Sequence, residues 1–220
     1  MPKARLILKT SPNEFSSRIK FLAADKINKR LVKVKPNIEK RVTKIVQQEV
    51  INSPEVVSLK TGDMPGTLKV DFGLTDSQVN SALSQIVESI ANSILVFFEK
   101  GSPRSKTLGK LVVKIDPQKI VSTVSSISGG SYQSNFSTID WLDWLLNRGS
   151  QVIIQGFEVK QTDYDQKSRS GSGFMIPTGG AWRISPQFAG VSNNNFITRS
   201  LDRANSKIEK AIREEFRRVL

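Results

Sequence analysis

The chain has 220 residues, 38% of them hydrophobic and 24% charged, so it can fold around one full core but has little room for two. Its 33 Lys and Arg against 20 Asp and Glu give a net charge of +13, and residues 1–50 hold most of this excess (13 basic, 4 acidic, net +9). The absence of Cys and His excludes disulfides, thiolate nucleophiles, Ser-His triads and the commonest metal ligands.

The distribution of charge bears on partners and location. Residues 51–100 hold 3 basic and 6 acidic side chains, whereas residues 101–220 hold 17 and 10, so the basic excess lies toward the two ends. Such a field favours DNA, RNA or an acidic protein surface, and a solvated basic surface that serves solubility fits equally well. The start MPKARLILKT lacks the apolar run of a signal peptide, and Ile94–Phe98 is too short to span a bilayer. We therefore expect a soluble intracellular protein.

The first fifty residues predict two basic helices. Apolar residues recur at helical intervals from about Asn13 to Val34, and Pro36 then interrupts the pattern and begins a second helix, since proline suits a first helical turn. We expect each helix to pack one apolar face and to present a basic face outward, and we assign residues 1–52 to a basic helical segment that precedes an α+β domain at 53–220. The apolar faces are Phe15, Ile19, Leu22, Ile27 and Leu31 in the first helix and Ile38, Val42, Ile45 and Val46 in the second.

Short elements follow in the middle of the chain. Ser53 is an N-cap signal for a helix that reaches Leu59. Alternating apolar residues at 68–72 predict a half-buried strand. Thr75 caps the cleanest amphipathic helix, which we expect at the centre of the core. The end of this helix stays open, because Ile94–Phe98 can instead begin a strand.

Further elements are predicted from 108 to 184. A strand is predicted at 108–115 and a short helix at 118–124, followed by a Ser- and Gly-rich surface loop that reaches residue 138. The sequence IDWLDWLLNRG indicates a compact helix that is capped by Ser137 or Thr138 and stopped by Gly149. Residues 152–159 predict another strand, with which 174–176 and 181–184 can each pair.

The stretch from Asp163 to Arg199 is the most irregular part of the sequence. It begins with a polar, glycine-rich segment, continues through an aromatic and proline-containing segment, and enters the last helix at Asn193-Asn194-Asn195. We interpret it as a contact segment. The last helix, roughly Asn194–Leu220, has an apolar face and an opposed basic face. The apolar face comprises Ile197, Leu201, Ala204, Ile208, Ala211, Ile212 and Val219, and the basic face comprises Arg199, Arg203, Lys207, Lys210 and Arg217.

No catalytic motif stands out. The glycines of SRSGSG are not followed by Gly-Lys-Ser/Thr or by a helix, which argues against a phosphate-binding loop. Asp140 and Asp143 lie three residues apart without a third ligand and are typical of acids at a helix start, and Asp163 and Asp165 are interpreted as loop acids. A metal nuclease that uses Asp163, Asp165 or Asp140 is the alternative enzyme hypothesis. We expect a protein that is not an enzyme and has no catalytic, cofactor or metal site.

Four sequence segments resemble those of a known group of proteins. In chain order they are IDWLDWLLNRG, QVIIQGFEV, SRSGSGFMI and WRISPQFAGVSNNNFITRSLD. They resemble neck and tail-completion (minor tail) structural proteins of tailed bacteriophages, over roughly residues 53–220 and most strongly over 139–202. The resemblance implies an α+β subunit with an antiparallel sheet packed by helices. With the long basic helices at the start and the long amphipathic helix at the end, this gives the expected fold class.

The resemblance also implies a place and partners. It implies a virion protein of the head-tail junction, made in the host cytoplasm, that forms a homo-oligomeric ring, hexameric or dodecameric, around a channel for double-stranded DNA. Other neck, connector or tail proteins would be its neighbours. Large or basic residues in and beside the irregular segment are candidates for the subunit interface. These are Arg169, Phe174, Met175, Trp182, Arg183, Pro186, Phe188 and Phe196.

Basic residues near the two ends are candidates for facing DNA or an acidic partner. They are Lys20, Lys26, Lys40, Lys44, Arg203, Lys207 and Lys210. The alternative function is a DNA-binding protein without sequence specificity that acts as a monomer or dimer. The sequence contains no helix-turn-helix, zinc-finger or aromatic RNA-binding pattern that would support sequence-specific recognition.

Overall fold

The computed structural model describes residues 11–61, 67–99, 101, 109–133, 138–160 and 174–219. Helices and strands mix along the chain, with a long helix near each end, so the expected α+β class is confirmed. The helices are α1 Pro12–Ile51, α2 Pro54–Lys60, α3 Leu68–Asp71, α4 Asp76–Ser93, α5 Pro117–Ser125, α6 Trp141–Leu146 and α7 Phe196–Val219. The strands are β1 Ile94–Glu99, β2 Lys110–Ile115, β3 Tyr132–Gln133, β4 Thr138–Ile139, β5 Val152–Lys160 and β6 Phe174–Arg183.

The described strands form three two-stranded sheets. β1 pairs with β2, β3 pairs antiparallel with β4, and β5 pairs antiparallel with β6. In the longest pair Val152 lies opposite Arg183 and Lys160 lies opposite Phe174, with two irregularities of register between these ends. Residues 174–176 and 181–183 both pair with β5, as predicted, and belong to one continuous strand, which ends one residue before Ile184.

Helix α1 is continuous through Pro36, so the predicted break at that residue is wrong. Proline removes one backbone hydrogen bond and crowds the preceding turn, which disfavours the interior of a helix. The residues on both sides of it share one buried face, because Val34 and Ile38 are each only 1% exposed. Burial of this continuous apolar face outweighs the local cost of the proline.

The predicted apolar face of the first helix is divided in the structure. Leu31 is 4% exposed, whereas Phe15, Ile19 and Leu22 are exposed. At 100° per residue the exposed three lie about 140° around the helix from the buried face formed by Ala24, Leu31, Val34 and Ile38. The predicted face therefore splits into a buried part at Leu31 and an exposed part at Phe15, Ile19 and Leu22.

Residues 68–71 form the short helix α3, so the predicted strand at 68–72 is wrong. The alternating pattern indicates a strand only if the residues between the apolar ones are exposed. Here Lys69 is 8% exposed, and Leu68 and Phe72 are buried at 0% and 1%. The backbone closes a helical turn, in which the Phe72 N–H donates to the Leu68 carbonyl at 3.0 Å. Ser58 Oγ accepts from the Leu68 N–H at 2.9 Å and begins the turn.

Several other predicted elements are confirmed. Thr75 and Gln78 form a reciprocal capping box at the start of α4, and α4 gives way to a strand at Ile94. Helices α2, α5 and α7 match their predicted positions, whereas α6 ends at Leu146 with Asn147 at its C-cap, before the predicted stop at Gly149. The predicted cap of α6 is different, because Thr138 lies in β4 and Asp140 occupies the N-cap, while Ser137 lies outside the described residues.

The chain divides into two compact units. The smaller unit contains Met1–Arg41, Leu95–Lys114 and Lys210–Leu220, and the larger unit contains Val42–Ile94 and Ile115–Glu209. This division differs from the one predicted at residue 52, because each unit gathers parts of the chain that are distant in sequence. Within the smaller unit, the side chain of Asn28 on α1 accepts from the Gly109 N–H at 3.2 Å, just before β2.

Aromatic residues from three elements meet in the core of the larger unit. The ring of Phe72 lies 6.0 Å from that of Trp141 and 5.8 Å from that of Trp182. Trp141 is fully buried, and its indole N–H donates to the Gly129 carbonyl at 3.0 Å. This hydrogen bond satisfies the polar end of a buried tryptophan. Of the two tryptophans of α6, Trp141 is therefore the core residue, and Trp144 is half-buried.

Candidate polyanion-binding surface

The two units differ sharply in charge. The smaller unit holds 21 Lys and Arg against 6 Asp and Glu, a net charge of +15. The larger unit holds 12 against 14, a net charge of −2. The whole basic excess of the chain therefore belongs to the smaller unit. A charge so concentrated attracts polyanions more strongly than the same charge spread over the surface.

Four lysines form a row along one exposed face of α1. Lys26, Lys29, Lys33 and Lys40 are separated by three, four and seven residues, so they lie on the same side of the helix. All four are exposed, and at 1.5 Å per residue they extend over about 21 Å. They lie opposite the buried face of α1. We call these four residues the lysine row.

The lysine row has little internal neutralisation. Among the described residues, Lys26, Lys33 and Lys40 have no ion-pair partner, and Lys29 pairs only with the exposed Asp25, at 2.9 Å. An exposed pair of this kind contributes little to stability. Phosphates or carboxylates of another molecule can therefore meet these ammonium groups with little internal competition.

The predicted DNA-facing residues have different surroundings. Lys26 and Lys40 belong to the lysine row, and Lys20, Lys44 and Lys210 are exposed. Arg203 and Lys207 of α7 both pair with Glu49, whose side chain is 12% exposed. Their charge is already partly balanced within the larger unit.

Sequence reasoning missed Lys29 and Lys33 as members of the row. The signal was present, because both continue the three-and-four spacing that begins at Lys26. Counting charge by segment does not reveal which lysines share a face of a helix.

Two of the predicted interface residues are buried in the structure. Trp182 is 7% exposed and packs on Phe72, and Phe196 is 1% exposed at the start of α7. Both side chains pack in the core and expose little surface. Arg183 and Pro186 are exposed, and Phe188 is half-buried.

The side chains of the remaining three interface candidates lie outside the described part of the structure. Arg169 falls outside the described residues, together with the glycine-rich stretch around it. Phe174 and Met175 begin strand β6, and their side chains are outside the described part. The structure therefore places the side chains of five of the eight predicted interface residues, and two of these five are buried.

The end of the irregular segment has a structural role at Asn195. This residue is fully buried, and its Oδ1 accepts from the N–H groups of Ile197 and Thr198 at 3.0 and 3.1 Å. Its Nδ2 donates to the carbonyls of Leu146 and Val191 at 3.2 and 3.1 Å. One side chain therefore begins α7 and fastens it to the end of α6.

A charged cluster joins the two long helices inside the smaller unit. Arg41 of α1 donates to Glu214 Oε2 and Glu215 Oε1 of α7, both at 2.7 Å. Arg218 also donates to Glu215 Oε1, at 3.0 Å. The hydrogen bond from Arg41 lowers the pKa of Glu214, and the two glutamates raise the pKa of Arg41.

Within the ranges that the structure covers, no three His, Cys, Asp or Glu side chains come close enough to share a metal ion. Asp143 instead accepts hydrogen bonds from Asn147 at 2.7 Å and Arg148 at 2.6 Å. Asp140 is an exposed N-cap residue, and Asp163 and Asp165 lie outside the described residues.

Comparisons with protein families, with curated proteins and with solved structures found no match. No helix in the described part of the chain is both long enough and apolar enough to cross a membrane.

Proposed function

We propose that the chain is a non-enzymatic structural subunit of a tailed-bacteriophage virion, in a ring of the neck or tail-completion region where head and tail join. The class of protein is supported by the four sequence segments between Ile139 and Asp202 that resemble this group. The observation that carries the role is the charge division, with +15 in the smaller unit and −2 in the larger.

The proposed mechanism is binding and geometry. The larger unit, with its aromatic core and nearly balanced charge, is suited to contact copies of itself, since neutral surfaces approach without strong repulsion. The smaller unit is suited to an anionic environment, which in a head-tail channel means the phosphates of double-stranded DNA or an acidic neighbouring protein. Subunits that meet through two different patches close into a ring when the rotation allows it.

The decisive experiment is to find the chain in assembled particles. Particles produced with an epitope-tagged chain would be purified and imaged with an antibody against the tag. We expect label at the head-tail junction, and particles made without the chain should show heads and tails that fail to join. Purified joined particles that lack the chain would contradict the proposal. The mass of the isolated chain does not decide this point, because a subunit can stay monomeric until it meets the growing particle.

The lysine row favours a second candidate, a DNA-binding protein without sequence specificity. Cationic side chains without internal partners bind phosphates. The logarithm of the binding constant then falls by about 0.9 for each phosphate contact when the salt concentration rises tenfold. Substitution of Lys26, Lys33 and Lys40 by Gln should lower that slope by about two to three. Lys119→Gln, an exposed lysine of the larger unit, is the control. A gel-shift titration without binding at low salt would eliminate this candidate, and binding by a chain that never enters particles would favour it over the virion role.

A further inference from the structure

The first three turns of α1 have almost no packing of their own. Every side chain described between residues 11 and 23 is exposed except the half-buried Ser17, and Ala24 is the first buried residue. We call residues 11–23 the arm. A helix of about a dozen residues is only marginally stable in water without tertiary contacts. A partner that packs on the arm would supply those contacts.

The arm exposes large apolar side chains. Phe15, Ile19 and Leu22 are 49%, 51% and 65% exposed. They are separated by four and three residues and so lie along one face of the helix. Contiguous exposed apolar residues mark interaction sites more often than a single one does. We call these three residues the apolar patch.

The apolar patch and the lysine row form one continuous face. Positions 15, 19, 22, 26, 29 and 33 follow alternating steps of four and three, and Lys40 follows one heptad after Lys33. This is the spacing of the seam in a coiled coil. The face extends about 38 Å from Phe15 to Lys40, with its apolar part first and its cationic part after it.

We infer that this face of α1 docks an amphipathic helix of an acidic partner protein, with apolar residues against the apolar patch and Asp or Glu against the lysine row. Charge complementarity selects this occupant, because ammonium groups at an interface need carboxylates to offset their desolvation. The three-and-four spacing selects a helix, since only a second helix matches such a seam along its length.

Other occupants fit less of the face. A second copy of the chain would place a lysine row against another lysine row or against an apolar patch, and both arrangements leave ammonium groups without a counter-charge. Duplex DNA would pair with the lysine row but leave the apolar patch unused. The inference goes beyond the proposed function and does not depend on it, since an acidic partner can belong to a virion or to another assembly.

The experiment uses the full chain and three labelled synthetic peptides of about 25 residues, enough to cover the face as a helix. Two peptides carry Leu at four-and-three spacing in one half and Glu at the same seam positions in the other half. One has the Leu half first and the other has it last, which covers parallel and antiparallel docking. The third peptide scrambles the same composition. Fluorescence anisotropy measures binding, and hydrogen exchange follows residues 11–23.

Two variants separate the two parts of the face. Ile19→Gln with Leu22→Gln should weaken binding about tenfold at both low and high salt. Lys26→Gln with Lys33→Gln and Lys40→Gln should weaken binding at low salt and flatten its salt dependence. The controls are Val32→Gln, which changes an equally exposed apolar residue on another side of α1, and Lys20→Gln. All these side chains are exposed, so the fold should be unaffected.

The outcomes are distinct. One ordered peptide should bind in about the micromolar range, about tenfold more tightly than the scrambled peptide, and should slow amide exchange in the arm. Equal binding of the ordered and scrambled peptides, or no binding by either ordered peptide, would overturn the inference. Binding of duplex DNA or of phosphatidylserine vesicles that is lost in the Ile19 and Leu22 variant would assign the face to that ligand instead. None of these results changes where the chain lies in a particle, so the proposed function is tested separately.

Discussion

Arg41 and Glu215 lie 174 residues apart in sequence and are joined by a hydrogen bond of 2.7 Å from Nη1 to Oε1. The Glu215 side chain is only 4% exposed, so its charge depends on the arginine and on Arg218 for compensation. This contact closes the smaller unit, because it ties α1 to the end of α7 within that unit. The most basic part of the protein is therefore stabilised by two of its few acidic residues.

Arg41→Ala should destabilise the smaller unit. It removes both bonds of the arginine fork and leaves Glu215 nearly buried with a single cation, the situation in which loss of one partner is most harmful. We expect a fall in Tm of several degrees and faster amide exchange in the last turns of α7. Arg18→Ala is the matched control, because the Arg18–Glu14 pair is exposed, lies at 3.8 Å and should contribute at most about 0.5 kcal/mol. Equal losses for the two variants would contradict this role of Arg41.

The same contact predicts a dependence on acid. The pKa of Glu214 is lowered in the folded state by the hydrogen bond from Arg41. A lowered pKa stabilises the fold above the unfolded value of about 4.3, and this contribution is lost as the pH falls through the lower folded value. The Tm difference between wild type and Arg41→Ala should therefore shrink as the pH falls from 5 toward 3. A difference that stays constant over this range would count against the Glu214 contact.

Pro36→Ala should stabilise the protein. Pro36 is exposed inside a continuous helix, where proline costs about 3 kcal/mol relative to alanine. The greater freedom of the unfolded alanine chain offsets about 1 kcal/mol of this gain. Thermal unfolding should show a clear rise in Tm, whereas the control Asn37→Ala, at the adjacent exposed position, should gain only about 0.6 kcal/mol. An unchanged or lower Tm for Pro36→Ala would mean that the proline serves the fold.

Asn195 allows its two roles to be separated by substitution. Asn195→Ala removes the cap of α7 and the Nδ2 group that donates to the carbonyls of Leu146, Val191 and Ser192, and should cost about 2–4 kcal/mol. Asn195→Ser keeps a side-chain oxygen that can cap the helix but loses the Nδ2 donors to Leu146 and Val191, so it should retain part of the stability. Urea unfolding of both variants measures the two contributions. If Asn195→Ser were as stable as wild type, the link to α6 would contribute nothing.

Gly190 beside it leaves no room for a side chain. A Cβ at this position would overlap the Leu145 carbonyl and lie 2.7 Å from the Asn195 Cβ. Because one of these neighbours is backbone, the strain cannot be relieved by a change of rotamer. Gly190→Ala should therefore cost more than Asn195→Ala in the same urea experiment. A smaller loss would show that the backbone here moves easily.

The elements that could be predicted are those whose signals are local. Thr75 and Gln78 cap α4 within one turn, and the spacing of apolar residues in α4 and α7 reflects burial on one side only. The strand predicted at 68–72 was wrong because Lys69 is buried as well, so the alternation of apolar and polar residues did not reflect exposure. The helix break predicted at Pro36 was wrong because the burial of Val34 and Ile38 depends on tertiary contacts, which local sequence rules do not include.

The functional surface was predictable only in part. A basic excess near the ends of the sequence was visible, but its confinement to one unit depends on which distant segments fold together. Trp182 illustrates the same limit, since a tryptophan in an irregular stretch can be an interface anchor or a core residue. Its partner Phe72 lies 110 positions away in the sequence, so local patterns could not decide between the two.

Asp71 gives a pH dependence of the opposite sign to that of Glu214. Burial raises its pKa to about 6, so the folded protein holds this proton more tightly than the unfolded chain, where the pKa is about 3.9. Stability from this group is therefore greatest below about pH 4, declines as the pH rises toward 6, and stays lower above that value. The group is partly exposed, which reduces the loss to about 1–2 kcal/mol.

Asp71→Asn fixes the neutral form and should raise the Tm at pH 7.5 while leaving it unchanged near pH 3.5, where the wild-type carboxyl is already protonated. Asp76→Asn is the control, because Asp76 lies 79% exposed in the first turn of α4 and pairs with Lys69 at 2.6 Å. Its loss should lower the Tm at pH 7.5, since it removes an ion pair and a favourable charge at a helix start. Thermal unfolding of both variants at the two pH values tests the assignment. If Asp71→Asn raised the Tm equally at both pH values, packing and not the carboxylate charge would be responsible.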